Sequence, residues 1–193
     1  MTPNTSLIGG FEDRPRDAAS AFRAIMTALA HPGQPQTVHW TSPPKGLSRA
    51  AGALVLTLCD AETPLYLAPS HDTEALRQWI TFLTSAPFVE RDRAMFALGV
   101  WDDLGPLTDY PIGTSEFPER GTTFIVDGSS RTQAVQAHGP GIKTSVSFHV
   151  PNLYALQLNA ALFPQGHDFF FCRADQLIGL PRSTQLQALQ EAL

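Results

Sequence analysis

Apolar residues recur at helical spacing in several segments of the chain. The spacing predicts a first helix over residues 18–30, which Asp17 can cap at its N-terminus. It predicts further helices over residues 47–59 and from Asp72 to about residue 84, while Pro151 is suited to the first turn of a helix that runs to about residue 162. A short closing helix is predicted from about residue 185.

Short apolar runs between Pro, Gly and Asp residues predict the strands. They cover residues 37–40, 65–67, 94–101, 122–126 and 134–138, followed by a last pair of strands between residues 163 and 184. A hairpin turn at 127–130 would join the fourth and fifth of these strands. Residues 102–121 are rich in Gly, Pro and acidic residues and are predicted to be irregular. A connection of this length is often functional or covered by a partner.

Because helices and strands alternate, the predicted fold class is α/β, and the hairpins favour a mixed sheet over a purely parallel one. A length of 193 residues fits one domain of ordinary size. The predicted organisation is an N-terminal arm over residues 1–16 and a single α/β domain over residues 17–193.

The charge content narrows the range of partners. Charged residues make up 16% of the chain, which is below the usual quarter, so we expect another subunit to cover part of the surface. A net charge of −5 argues against binding to nucleic acid or to anionic membranes. No signal peptide and no bilayer-spanning segment are evident. Cys59 and Cys172 lie in apolar runs and are interpreted as buried free thiols of a cytoplasmic protein.

Arg182 is the first candidate for anion binding. It follows Pro181 and precedes two hydroxyl residues, Ser183 and Thr184, and its guanidinium offers a rigid fork of donors to an anion or to a partner's carboxylate. A solvated arginine in a surface loop is the alternative interpretation.

The turn formed by Gly139 and Gly141 around Pro140 is the second candidate. Its spacing is too short for a P-loop, because Ile142 and not glycine precedes Lys143. A backbone nest that holds an anion and a simple turn at the end of a strand both remain open. Arg23 borders the apolar stripe of the first helix, where it can extend along the surface or form an ion pair.

His167 and Asp168 form the best candidate acid–base pair, although neighbouring residues on a strand point to opposite faces. The alternative is a turn histidine beside the first residue of a strand. The other histidines are scattered and there is no Cys-x-x-Cys, so no metal site is predicted. Lys45 and Lys143 are the only lysines, and neither lies in a context that favours covalent cofactor chemistry, so no cofactor is predicted.

Five motifs, taken together and in order, resemble the PhnH family of the bacterial carbon–phosphorus lyase system. They are FRAIM at 22–26 with HPG at 31–33, LTLCDAETP at 56–64, HGPGI at 138–142, FPQGHD at 163–168 and LPRST at 180–184. The resemblance extends over about residues 11–185. One departure is His167, where an apolar residue can stand in the family.

The resemblance implies a three-layer α/β sandwich that is similar to pyridoxal-phosphate (PLP)-dependent transferases but lacks the cofactor site. It implies a homodimer that assembles with the sister subunits G, I and J of the carbon–phosphorus lyase core complex. That complex attaches a phosphonate to the ribose of a nucleoside triphosphate and displaces adenine, as a ribose 1-methylphosphonate 5-triphosphate synthase. No catalytic residue is carried over from the family.

Two other functions remain open from the sequence. One is a free-standing small-molecule enzyme with His167 or Asp168 as its acid–base group. The other is a regulatory module that binds an anion without sister subunits. In the complex, the anionic phosphonate or nucleotide substrate makes Arg182, Arg23 and the glycine turn the first residues to test.

Overall fold

A computed structural model describes residues 9–189 of the chain. In this range the helices are α1 (Arg14–Ala30), α2 (Arg49–Leu58), α3 (Glu74–Thr84), α4 (Trp101–Leu104) and α5 (Leu153–Ala160). The strands are β1 (Gln36–Thr37), β2 (Leu65–Leu67), β3 (Phe96–Gly99), β4 (Thr123–Asp127), β5 (Gln133–His138), β6 (Val146–Val150), β7 (Asp168–Arg173), β8 (Gln176–Leu180) and β9 (Gln185–Ala188).

The α/β class and the mixed sheet are confirmed. Six strands form one sheet in the order β1-β8-β7-β4-β3-β2, in which β2, β3, β4 and β7 run parallel while β8 and β1 are antiparallel to their neighbours. A second, antiparallel sheet has the order β6-β5-β9. The two sheets are joined directly, because β9 follows β8 after a short connection.

The central strand β4 shows how the large sheet is buried on both faces. Phe124, Ile125 and Val126 are all fully buried or nearly so. Ile125 belongs to the core beneath α1, α2 and α3, whereas Phe124 and Val126 belong to the core shared with the small sheet and α5. Because successive residues of a strand point to opposite faces, a continuous apolar run is what such a strand requires.

Each of the four longer helices begins at a residue whose side chain accepts a hydrogen bond from the backbone of the first turn. These N-caps are Asp13, Ser48, Thr73 and Asn152. The predicted caps Asp17 and Asp72 are therefore wrong, and α1 begins at Arg14, inside the segment predicted as an arm. Pro15 is tolerated there because backbone N–H groups in the first turn need no partner within the helix.

The predicted hairpin between residues 122–126 and 134–138 is wrong. β4 pairs with β3 and β7 in the large sheet, whereas β5 pairs with β6 and β9 in the small one. The strand β6 was missed in the sequence.

The predicted closing helix from residue 185 is also wrong, because β9 pairs with the exposed edge of β5 and buries Leu186. Residues 190–193 of that prediction lie outside the described part of the chain, as do residues 1–8 of the predicted arm.

The segment 102–121 is only partly irregular. It contains the end of α4 and two short 3-10 turns, Leu107–Asp109 and Pro118–Arg120. Leu104 and Tyr110 are buried against the large sheet, and the Tyr110 hydroxyl donates to the Leu104 carbonyl at 2.7 Å. This segment therefore forms part of the core.

Candidate functional site

A cleft of about 780 Å³ lies between the two sheets at the carboxyl ends of β4 and β7. Its floor is apolar and includes Val126, Phe171 and Ile178 from the large sheet, with Phe148 from the small one. Parallel strands of α/β proteins commonly carry their ligand sites at this edge, because the loops that leave the strands converge there.

Polar and cationic residues also line the cleft. Hydroxyl residues come from the loop after β4 and from β6, and the titratable residues of the lining are Arg131, His149, Arg173 and Cys172. The Cys172 side chain belongs to the core beneath α1, α2 and α3. Burial raises the pKa of Cys172 well above its usual range, so the thiol stays protonated. Among residues 9–189, no Asp or Glu lines the cleft, although acidic residues outnumber Lys and Arg by 18 to 13 in the whole chain.

The loop after β4 has a defined shape. Gly128 adopts a left-handed conformation with φ of 103°, and its carbonyl accepts a hydrogen bond from Trp101 N–H at 3.0 Å. The Ser129 hydroxyl donates to the Arg131 carbonyl at 2.6 Å, and Asp102 accepts from the Ser130 backbone N–H at 2.8 Å. These contacts hold the loop at the mouth of the cleft.

A buried polar network lies behind this edge, on the helical side of the large sheet. His71 Nε2 lies 3.2 Å from Asp127 Oδ2, which also accepts from the backbone N–H of Ser48 at 2.8 Å. Both side chains are under 10% exposed. The Ser70 hydroxyl lies 3.1 Å from His71 Nδ1 and accepts from Val100 N–H, also at 3.1 Å.

This network joins the ends of β2, β3 and β4 to the start of α2. Sequence reasoning treated His71 as one of several scattered histidines and did not connect it with Asp127. Their positions in the sequence could have indicated the contact, because His71 follows the buried strand β2 and Asp127 is the last residue of the buried strand β4.

Arg182 lies at the opposite end of β7, away from the carboxyl edge. Its Nε is 3.2 Å from both carboxylate oxygens of Asp168, and its Nη2 is 2.6 Å from Oδ2. Nη1 donates to the carbonyl of Pro118. The side chain of Arg182 is 11% exposed. The structure thus directs three nitrogens of the predicted anion-binding arginine to acceptors of its own chain.

His167 is almost completely buried and packs edge-on against Phe124, with 5.1 Å between ring centroids. Its backbone N–H donates to the Asn159 side chain and its Nε2 lies 3.2 Å from the Leu107 carbonyl. Burial lowers the pKa of His167 to about 4, although the nearby carbonyls of Leu107 and Thr122 act in the other direction. The ring is therefore neutral at physiological pH.

The structure brings the predicted glycine turn next to Ser183 and Thr184. A Cβ on Gly139 would lie 3.3 Å from the Ser183 carbonyl, because β5 pairs with β9 at this point. Gly141 has φ of 80°, and a Cβ there would lie 2.1 Å from the Ala30 carbonyl. These close approaches account for both glycines by backbone packing.

Arg23 is not brought into contact with the other predicted anion-binding residues. It is exposed on α1, where its Nη2 donates to Ser20 Oγ at 3.2 Å. Over residues 9–189 no group of three or more His, Cys, Asp or Glu side chains is placed to hold a metal ion.

Comparison with known proteins identifies the family. The model of the family described as bacterial phosphonate metabolism protein (PhnH) matches residues 9–187. The chain is also 33% identical over 198 residues to a protein of Rhizobium meliloti (strain 1021), covering 97% of this chain and 99% of that protein. The Rhizobium protein is named alpha-D-ribose 1-methylphosphonate 5-triphosphate synthase subunit PhnH.

Among residues 9–189, none of the helices combines the length and apolar character needed to cross a bilayer.

The match to the PhnH family model and to the Rhizobium protein covers nearly the whole chain, and it confirms the resemblance that the five motifs indicate. The chain belongs to the PhnH family of bacterial phosphonate metabolism proteins.

Proposed function

We propose that this chain is a subunit of a cytoplasmic ribose 1-methylphosphonate 5-triphosphate synthase. In that role it forms a homodimer, assembles with sister subunits G, I and J, and supports transfer of a phosphonate to the ribose of a nucleoside triphosphate. The observation that carries this proposal is the match along essentially the full length of a protein named as such a subunit.

The outer face of α5 supports a role in assembly. Tyr154 is 70% exposed and Leu158 is 53% exposed, one helical turn apart, and the patch continues through Leu162 and Phe163. No Asp, Glu, Lys or Arg occurs from residue 151 to residue 166. A contiguous apolar surface without charge is typical of a protein interface. We assign this surface, the α5 face, to a sister subunit.

The proposed contribution of this chain is structural, together with an anion-binding cleft. Anion binding by Arg182, Ser183, Thr184, Gly139, Gly141 and Arg23 stays a prediction, as does a likeness to PLP-dependent transferases. The ion pair of Arg182 with Asp168 favours a structural role for that arginine.

Co-purification tests the proposal. A tagged copy would be recovered from its native cells grown on methylphosphonate as the sole source of phosphorus. We expect sister subunits in stoichiometric amounts. Recovery of the chain alone, as monomer or homodimer, would contradict the proposal.

The same preparation distinguishes the two alternatives. A free-standing enzyme with His167 or Asp168 as acid–base group would show turnover by the purified chain alone. A regulatory module would bind its ligand without ever recruiting sister subunits. The burial of His167 and the ion pair of Asp168 disfavour the first alternative.

A further inference from the structure

The small sheet has one edge that the chain itself leaves open. β6 lies at the end of the strand order β6-β5-β9. Within residues 9–189, the backbone from Val146 to Val150 forms main-chain hydrogen bonds to β5 alone. The strand contains neither proline nor any Asp, Glu, Lys or Arg that would discourage a neighbour. An edge of this kind can accept a further strand, because it presents a row of unpaired N–H and C=O groups.

The other sheet edges of the described residues are covered or short. α5 packs against β9, where the Gln157 side chain donates to the Leu186 carbonyl at 2.9 Å. Beside β2, the backbone of Leu65 forms hydrogen bonds with Pro87 and Val89. β1 has only two residues, whereas β6 has five. β6 is therefore the strand of residues 9–189 that is best suited to pair with another chain.

The cleft between the two sheets follows the open edge of β6. Ser147, Phe148 and His149 all line the cleft. Successive side chains of a strand point to opposite faces, so three consecutive residues share one lining through the edge of the strand. Phe148 is buried, whereas Ser147 and His149 are exposed. The main chain of β6 thus borders the cleft.

The wall opposite β6 belongs to the large sheet and is apolar. Phe171 of β7 and Ile178 of β8 line this wall and are register partners, so they lie side by side. Both remain partly exposed, and apolar surface is therefore left for a ligand to cover. A strand placed beside β6 would direct every second side chain towards this wall.

The lining also carries two arginines whose charge is not neutralised. Arg131 and Arg173 are exposed, and neither forms an ion pair within residues 9–189. Asp102 is influenced by the charge of Arg131, but it accepts from Ser130 N–H and does not line the cleft. Carboxylates are the protein groups that complement unpaired guanidinium groups.

We propose that the cleft binds an extended, acidic segment of a partner protein, which pairs with β6 as a fourth strand of the small sheet. Alternate apolar side chains of the segment lie on Phe171 and Ile178, and its carboxylates meet Arg131 and Arg173. In this mode of recognition the main-chain hydrogen bonds supply affinity and the alternate side chains supply specificity. The inference goes beyond the proposed function and does not depend on it.

The test is selection of phage-displayed random twelve-residue peptides on the purified full-length chain. Titration calorimetry then measures the affinity of an enriched peptide for the parent chain and for the double variant Arg131→Gln with Arg173→Gln. Arg93→Gln is the matched control, because Arg93 is an exposed arginine outside the cleft. Urea unfolding verifies that each variant is folded, since exposed substitutions change stability little.

We expect enriched peptides that alternate apolar residues and carry Asp or Glu, with dissociation constants below about 100 μM. The double variant should bind about five- to thirtyfold more weakly, because it removes two exposed charge pairs, and Arg93→Gln should bind as the parent does. Added salt should weaken the binding. Failure to enrich any peptide, or equal affinity for the parent and the double variant, would overturn the inference.

N-methylation of the enriched peptide tests the main-chain pairing. In an extended strand, alternate N–H groups point to the same side, so only one alternate set donates to β6. Methylation of that set should abolish binding, while methylation of the other set should leave it. Equal effects of the two sets would contradict pairing with β6.

A second copy of the chain is the alternative occupant of this edge. Light scattering of the purified chain measures its oligomeric state with and without the peptide. A dimer that binds no peptide would overturn the inference and assign the edge to the second copy. Recovery of sister subunits is a separate measurement, so a chain that joins the complex but binds no peptide would retain the proposed function.

Discussion

Arg182 and Asp168 close the open end of the β7–β8 hairpin through a two-point ion pair. Asp168 begins β7, one residue before the register match of Phe169 with Leu180, and Arg182 lies two residues after Leu180, just past the end of β8. The backbone N–H of Arg182 also donates to Asp168 Oδ1, at 2.8 Å. Through Pro118 the same guanidinium holds the preceding long segment against this hairpin.

Arg182→Ala should therefore destabilise the fold by about 1–3 kcal/mol, since it leaves Asp168 partly buried without its partner. Urea unfolding measures this loss. Arg77→Ala is the control, because Arg77 and Asp72 form a more exposed ion pair, and it should cost less than about 1 kcal/mol. Equal losses for the two variants would contradict the structural role. Unchanged growth of Arg182→Ala cells on methylphosphonate would argue against any functional role for Arg182.

His167 predicts a specific dependence of stability on pH. Its pKa falls from 6.5 to about 4 on folding because burial disfavours the charged ring. The unfolded chain therefore takes up the proton first as the pH drops. The stability is fully present above about pH 6.5 and decreases towards about pH 4, with about 2 kcal/mol lost by about pH 5.

Urea unfolding at about pH 7.5 and about pH 5 tests this prediction against His167→Gln, which cannot titrate. The parent chain should lose more stability between the two conditions than the variant does. If both lose the same amount, another group is responsible for the acid sensitivity.

Asp127→Ala should destabilise the chain by about 2 kcal/mol, because the substitution leaves the buried Ser48 N–H and the His71 ring without an acceptor. Asp109→Ala provides a comparison, since Asp109 pairs with Arg91 near the surface and should cost less than about 1 kcal/mol. Thermal unfolding of the two variants side by side gives the result. If Asp127→Ala is no less stable than Asp109→Ala, water can replace the Asp127 carboxylate in the network.

Tyr154→Ser combined with Leu158→Gln should leave the fold intact and reduce the recovery of sister subunits several-fold. The reason is that both side chains are exposed in the isolated chain and apolar on the α5 face. Phe82→Ser is the control, because Phe82 is 59% exposed on α3, on the other side of the large sheet. Light scattering measures homodimer formation by the same variant. If the variant loses homodimer formation and still recovers the sister subunits, a second copy of the chain covers the α5 face.

The local sequence pattern was sufficient to predict an element where tertiary contacts do not change the segment's preference for helix or strand. The helix α2 and the buried strand β2 fall within or match their predicted ranges, since spacing and flanking turns specify them. The segment that forms β9 was different, because the sequence predicted a helix there. Pairing with β5 makes residues 185–188 a strand, and the local sequence does not indicate that partner.

The site could be predicted only in part for the same reason. Adjacency of Arg182 and Asp168 depends on the β7–β8 register, and that of His71 and Asp127 depends on which strands are neighbours. The cleft escaped detection because one of its walls is β6, which sequence reasoning missed. Without β6, the loop after β4 and residues 147–149 have no reason to line a common cleft.

The position of β8 in the sheet has a consequence for synthesis of the chain. α1 packs against β8, and β1 pairs with it, so the first elements to be made require Gln176–Leu180 for their native contacts. The chain emerges from the ribosome from its N-terminus, and contacts of such long sequence separation close late. The part of α1 that packs against β8 therefore lacks its native partner until the final strands appear, whereas its contact with α2 can form earlier.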